Sequence, residues 1–323
     1  MRRTFICILV LLLSALPARG QEPARVFRLG LLSLNPRPVP HLHEALMQGL
    51  RDLGYIEGQN LIVERRFAAG DLQRLDEFAA ELVRLRVDLI IAAPTQVTQA
   101  AQRATKTIPI VMPVSGDAVG FGLVASLARP GGNVTGLSVL GPELSNKQVE
   151  LVKELVPGLI RVGLLWDATS SVGELHLARM KNTAQGLGLQ LHSLEILSVP
   201  DFERAFAAAA QGRLGAVLVG DNALVFNNRA RLVEVAAATR IPAIFLWREY
   251  PEAGGLISYG PNLRDLNRRA ATYVDKILKG AKPGDLPIDQ PRTFDLVINV
   301  KTAQALGLTI PQSILLRATE VIQ

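Results

Sequence analysis

From residue 26 onward the chain alternates between two kinds of segment, and this alternation limits its fold more than any other feature. Short apolar runs read as strands at residues 26–32, 61–66, 87–93, 108–114 and 134–140. Between them lie segments with apolar residues at helical spacing. Leu42, Leu46, Leu50 and Leu53 form one such stripe, stopped by Gly54. Asp71 is placed to cap a second helix carrying Leu72, Leu75, Phe78, Ala79, Leu82 and Leu85. Residues 96–105 and 119–128 are predicted as further helices. A Gly- and Pro-rich joint at 129–142 then interrupts the series, and it restarts. Ser145-Asn-Lys-Gln148 reads as a capping box opening a helix with Val149, Val152, Leu155 and Val156. Strands follow at 161–166, 189–196, 216–220 and 241–247, with helices at 173–187, after a cap at Asp201, and at 228–240. Beyond Trp247 the order loosens: a strand at 255–259, a long helix from the Asn262 cap to Leu278, an extended stretch at 283–291, a strand at 293–299 and a short helix at 302–306.

A strand joined to the next through a helix pairs with it in parallel, because a parallel connection needs a crossover. Two interrupted series therefore predict an α/β chain of two doubly wound parallel-sheet lobes joined by a hinge. One even series, as a closed barrel requires, is absent.

The N-terminus has a different character. Arg2 and Arg3 precede an apolar run at 5–13, and small residues suited to cleavage follow up to Gly20. The run is too short to cross a bilayer, which takes about 20 residues. Residues 1–20 are read as a secretory signal peptide, cut after Ala18 or Gly20. The chain's single cysteine, Cys7, lies inside the run and not at the cleavage point, so the exported chain is expected to be unacylated and free of thiols. Cleavage also removes Arg2, Arg3 and Arg19, half of the formal charge of +6. The remaining basic residues, among them Arg65, Arg66, Arg103, Arg161, Arg229 and Arg268, are scattered and do not form the stripe of a nucleic-acid binder.

Several chemistries are poorly supported. His41 and His43 are two apart, and His176 and His192 lack partners at ligand spacing, so no metal site is expected. No phosphate loop, dinucleotide fingerprint or nucleophile elbow occurs, so no cofactor is expected. What remains is polar residues placed where open parallel sheets bind ligands, at the carboxyl ends of strands. In the first series these are Ser33, Asn35, Thr95, Gln96, Ser115 and Asp117. In the second they are Asp167, Thr169, Ser170, Ser171, Asp221, Asn222 and Trp247, with Tyr259 on a later strand. Helix starts at Thr95/Gln96 and Ser170/Ser171 would offer N–H groups to a carboxylate, and Ser115 a hydroxyl. Asp117 and Asp221 would take an ammonium or hydroxyl group, and Trp247 or Tyr259 an apolar face. The same residues would also serve as ordinary caps and turns.

Specific stretches resemble a known family. They are Leu53-Gly-Tyr-Ile-Glu-Gly-Gln-Asn60, Asp88-Leu-Ile, Ser126-Leu-Ala-Arg-Pro-Gly-Gly-Asn-Val-Thr-Gly136, Trp247-Arg-Glu, Gly254-Gly-Leu-Ile-Ser-Tyr-Gly260, Val274-Asp-Lys-Ile-Leu-Lys-Gly-Ala-Lys-Pro283 and Ala305-Leu-Gly-Leu-Thr-Ile-Pro311. In this order the chain resembles the ABC-transporter substrate-binding family that includes tryptophan- and tyrosine-binding proteins. The resemblance implies a type I periplasmic-binding fold whose lobes close over ligand, with crossovers near 137–142, 254–262 and 286–293. The lobes would then be 27–137 plus 260–285 and 142–253 plus 293–323. The family often carries Asp-Pro-Val after the fourth strand; here Asp117-Ala118-Val119 keeps the acid and loses the proline.

The reading that follows is a periplasmic, monomeric binding component of an ABC importer. It would bind an amino acid or carboxylate, partner an inner-membrane permease, and involve neither nucleic acid nor catalysis. Two alternatives remain open: an exported α/β enzyme using Asp117 or Asp221 as general base, and a ligand-sensing domain of a signalling system.

Overall fold

The computed structural model describes residues 25–139, 142–169 and 171–323. The expected signal segment and Ser170 lie outside the described residues. The chain opens with β1 (Phe27–Ser33), α1 (Pro40–Asp52), β2 (Leu61–Phe67), α2 (Leu72–Arg84), β3 (Leu89–Ala93), α3 (Thr95–Ala104), β4 (Ile110–Ser115) and β5 (Val134–Ser138). These five strands form one parallel sheet in the order β2-β1-β3-β4-β5. The second part comprises α4 (Pro142–Leu155), β6 (Arg161–Asp167), α5 (Ser171–Gly186), β7 (Gln190–Ile196), α6 (Asp201–Gln211), β8 (Ala216–Val219), α7 (Ala223–Asn227), α8 (Arg229–Thr239), β9 (Ala243–Phe245), α9 (Glu249–Glu252) and β10 (Ile257–Gly260). After α10 (Leu263–Leu278) come β11 (Asp295–Asn299), α11 (Val300–Ala305), α12 (Gln312–Leu315) and β12 (Glu320–Ile322). The second sheet runs β12-β11-β10-β9-β8-β6-β7, parallel except where β10 meets β11.

Each sheet is apolar on both faces, as parallel sheets are. Along β3, Leu89 and Ile91 join the cluster under α1 and α10, while the alternate residues Ile90 and Ala92 join the one under α2 and α3. Along β6, Val162, Leu164 and Trp166 pack with α4 and α5, and Leu165 packs with α6 and α8. Full burial of a leucine such as Leu50 contributes about 1.5–3 kcal/mol. Gly49 lets α1 and α10 approach closely: a Cβ there would lie 2.8 Å from the Arg268 carbonyl oxygen.

α10 belongs with the first sheet, packing on α1, β4 and β5 after the chain has built most of the second sheet. Asn262 starts it as expected, its side chain accepting from the Arg264 and Asp265 N–H groups. The chain thus passes between the sheets three times: after β5, after β10 and before β11.

Three expectations need correction. Residues 119–128 are turns, not a helix. The Asp117 carboxylate accepts the Gly120 N–H, and Gly122 sits at φ +68°, so the chain folds back on itself before a helical ladder forms. α4 starts at Pro142, ahead of Ser145, so the supposed capping box lies within it. Asp201 is the first residue of α6 and not its cap; its carboxylate accepts from the preceding N–H groups of Leu197 and Ser198.

Candidate functional site

In a doubly wound sheet the crevice forms where the strand order reverses. The first sheet reverses at β1/β3 and the second at β6/β8, and the carboxyl ends of both pairs face one cavity between the lobes. The cavity encloses about 230 Å³, below the roughly 300–1,000 Å³ of drug-sized pockets, and so suits a small solute.

Its first-lobe wall carries Ser33, Asn35, Thr95, Gln96 and Ser115. α3 starts directly after β3 with Pro94 at its N-cap and no side-chain cap, so its first turn faces the cavity without an internal partner for every N–H. Thr95 is fixed there: its Oγ1 accepts the Gly116 N–H at 2.9 Å and lies 3.0 Å from the Ser115 Oγ. Pro113 cannot donate to the ladder, and β4 shifts register against β5 between Met112 and Ser115. That irregularity brings Pro113, Val114 and Ser115 into the lining. At the same place Gly136 on β5 holds φ +132°, with a Cβ position 2.2 Å from the Met112 carbonyl oxygen, so only glycine fits.

The second-lobe wall carries Asp167, Asp221, Asn222 and Trp247. Asp167 is 9% exposed, and its Oδ1 accepts from both the N–H and the hydroxyl of Thr169, at 2.9 and 2.6 Å. Burial pushes the Asp221 carboxyl up from 3.8 to about 7, with the Glu249 charge adding to the effect. Hydrogen bonds from Trp247 and from the Tyr250 hydroxyl, 3.4 Å away, act in the opposite direction. Asn222 caps α7 by accepting from the Val225 N–H.

Three of the expected residues that are described do not line the cavity. Asp117 is turned away, ion-paired to Arg179 at 2.6 Å, so its carboxylate is already satisfied. Thr169 serves to hold Asp167. Tyr259 stacks on Phe294, ring centroids 5.7 Å apart. Ser170 lies outside the described residues, and Ser171 is described only as the first residue of α5.

Other lining residues were not anticipated. Leu42, Leu46, His43, Gln148, His176 and Asn267 reach the cavity from helices, and Phe67, Phe121 and Phe226 add aromatic walls. The spacing of Leu42 and Leu46 predicts a core stripe, and nothing in their pattern separates the two roles. Burial lowers His176 to about 4, with Arg179 adding to it, and burial followed by Arg65 lowers His43. Both imidazoles are neutral at pH 7. No Lys or Arg lines the cavity among the described residues, and none of their His, Cys, Asp and Glu form a group able to hold a metal.

The lobes touch across the opening. The Asn227 side chain donates to the Asn35 Oδ1 at 3.0 Å, His41 Nε2 lies 3.0 Å from the Glu249 Oε1, and Arg179 of α5 meets Asp117. Ala223 belongs to a buried cluster otherwise built from first-lobe residues and Ile288. The lobes therefore meet over the cavity.

Comparison with known proteins agrees with this architecture. Residues 40–322 match a family model described as ABC transporter substrate binding protein. A tyrosine-binding protein of Clostridioides difficile (strain R20291) is 28% identical over 266 residues, 82% of this chain and 76% of that protein. The crystal structure of an ABC domain from Streptococcus pneumonia in complex with L-Trp is 28% identical with a TM-score of 0.85, over 92% of this chain and 100% of that one. A conserved domain protein from Vibrio cholerae O1 biovar eltor is 30% identical with a TM-score of 0.87, over the same shares. A leucine-binding protein from Thermotoga maritima, 13% identical over 79% of this chain and 83% of that one, shares the fold at a TM-score of 0.61. With two switch-point sheets closed over one cavity and the family match spanning both, this chain is a member of the ABC transporter substrate-binding protein family, with the type I periplasmic-binding fold.

Proposed function

We propose that this protein is the periplasmic substrate-binding component of an ABC importer and carries an amino acid in the cavity between its lobes. One observation carries the reading. The closed cavity sets an uncapped helix start in one lobe opposite a desolvated acid, Asp221, in the other. A carboxylate fits the first and an ammonium the second. A ligand held by both bridges the lobes and stabilises the closed form over the open one.

The lobes are 27–137 plus 260–285 and 142–253 plus 293–323. Residues 1–20 are removed on export, the mature protein is a monomer, and its macromolecular partner is an inner-membrane permease. No described helix is long and apolar enough to cross a membrane. The partners of two described cavity groups favour binding over catalysis. Ser115 is paired with Thr95, and His43 faces Arg65.

A thermal-shift screen of amino acids and small carboxylates, followed by calorimetry, tests the reading. The expected result is one-to-one saturable binding without turnover, and a smaller radius of gyration in solution scattering at saturation. Turnover of the ligand, or saturation without compaction, refutes it.

A further inference from the structure

We propose that the ligand is an amino acid whose side chain ends in a cation, with Asp221 receiving its α-ammonium and Asp167 its distal charge. This rests on the amino-acid reading above and narrows it to the basic amino acids.

An ordinary α-amino acid carries one cation, and one acid answers it. Among the described residues this cavity has two. Asp167 is the last residue of β6 and Asp221 lies two beyond the end of β8; the two strands pair with each other up to Leu165 and Val219, and both acids line the cavity. Asp167 is nine-tenths buried, and its described contacts are to the N–H and hydroxyl of Thr169, neither of which carries charge. The other ionisable groups in the described lining do not balance it: the pKa values of His43 and His176 are lowered by burial, and no described lining residue is Lys or Arg. Arg179 of α5 is ion-paired with Asp117, and neither is among the described lining residues.

Seating a neutral side chain there would strip the remaining water from Asp167 and leave a buried charge unpaired, which is strongly disfavoured. The site therefore selects for positive charge partly by penalising ligands that lack it. The rest of the wall suits a cation on an apolar stem. Phe67, Phe121, Trp166, Phe226 and Trp247 offer apolar area and ring faces, and such faces attract ammonium and guanidinium groups.

Calorimetry of the ligand-stripped protein with L-arginine and L-lysine, against their uncharged counterparts L-citrulline and L-norleucine, decides the matter. The basic member of each pair should bind at least about 30-fold more tightly, the low end for one partner of a buried charge pair. In Asp167→Asn the preference should collapse, mainly through weaker binding of the basic amino acid. Equal binding of charged and uncharged members overturns the proposal and leaves the amino-acid reading standing. A preference that survives in a folded Asp167→Asn protein overturns the role of Asp167. Absence of binding by any amino acid overturns both readings. If the variant fails to fold, the wild-type comparison decides alone.

Discussion

Asp221 is the residue at which stability and binding pull against each other. Its carboxyl is held at about 7 in the folded protein, against 3.8 for an ordinary aspartate, chiefly through burial. In the unfolded chain it is ionised above pH about 4, whereas in the folded ligand-free chain it stays protonated up to about 7. The folded state therefore holds the extra proton across that window. Stability is greatest at the acidic end, falls as pH rises from about 4 to about 7, and is level above. At about 1.4 kcal/mol per pK unit, three units give a ceiling of about 4 kcal/mol, which water entering the cavity reduces. Asp221→Asn keeps the shape and removes the charge. Urea unfolding of both ligand-free proteins at pH 5, 6, 7 and 8 should show the variant gaining on wild type up to pH 7 and then running parallel. The variant should also lose ligand affinity by at least about 30-fold, because the ammonium has no counter-charge. Stability curves that run parallel throughout pH 5–8 would show that Asp221 is not desolvated, and the reasoning fails.

Three further outcomes follow from the geometry. For an ammonium ligand paired with Asp221, wild-type affinity should rise about tenfold per pH unit below 7 and flatten above it, with proton release on binding read by calorimetry in buffers of different ionisation enthalpy; a pH-independent affinity between 5 and 7 contradicts this. Arg179→Ala breaks a part-exposed pair between the lobes, worth about 0.2–1 kcal/mol, so affinity should fall no more than about fivefold by calorimetry. A loss beyond about a hundredfold, or 2.7 kcal/mol, would place the Asp117 loop on the ligand after all. Gly136→Ala drives a Cβ into the Met112 backbone and should cost at least about 2 kcal/mol in thermal or urea unfolding; an unchanged melting temperature contradicts that backbone path.

The sequence made the lobes legible because burial on both faces of a parallel sheet leaves continuous apolar runs, as in Leu89–Ala93, and because caps such as Asp71 and Asn262 have few other uses at those positions. The stretch 119–128 misled because its apolar spacing is helical, while the controlling contact, from Asp117 to the Gly120 N–H, is a side-chain event that spacing does not reveal. The site was half legible for the same reason. The rule that ligands sit at strand ends found Ser33, Thr95, Ser115 and Asp221, but it does not say which way a loop turns its side chain. Asp117 and Asp221 look equivalent in sequence; one faces Arg179 and the other the cavity. The walls from α1, α4, α5 and α10 stayed hidden, since helical apolar spacing such as that of Leu42 and Leu46 marks a buried face without saying what covers it.

The central claim is that one small solute spans the lobes, its carboxylate at the start of α3 and its ammonium at Asp221. A crystal structure of the protein with its tightest-binding amino acid tests it most directly. The lobes should meet as here, with ligand oxygens within hydrogen-bond distance of the first-turn N–H groups of α3 and the ligand nitrogen on the Asp221 carboxylate. A ligand seated elsewhere, or one in the cavity that leaves Asp221 without a contact, would contradict it.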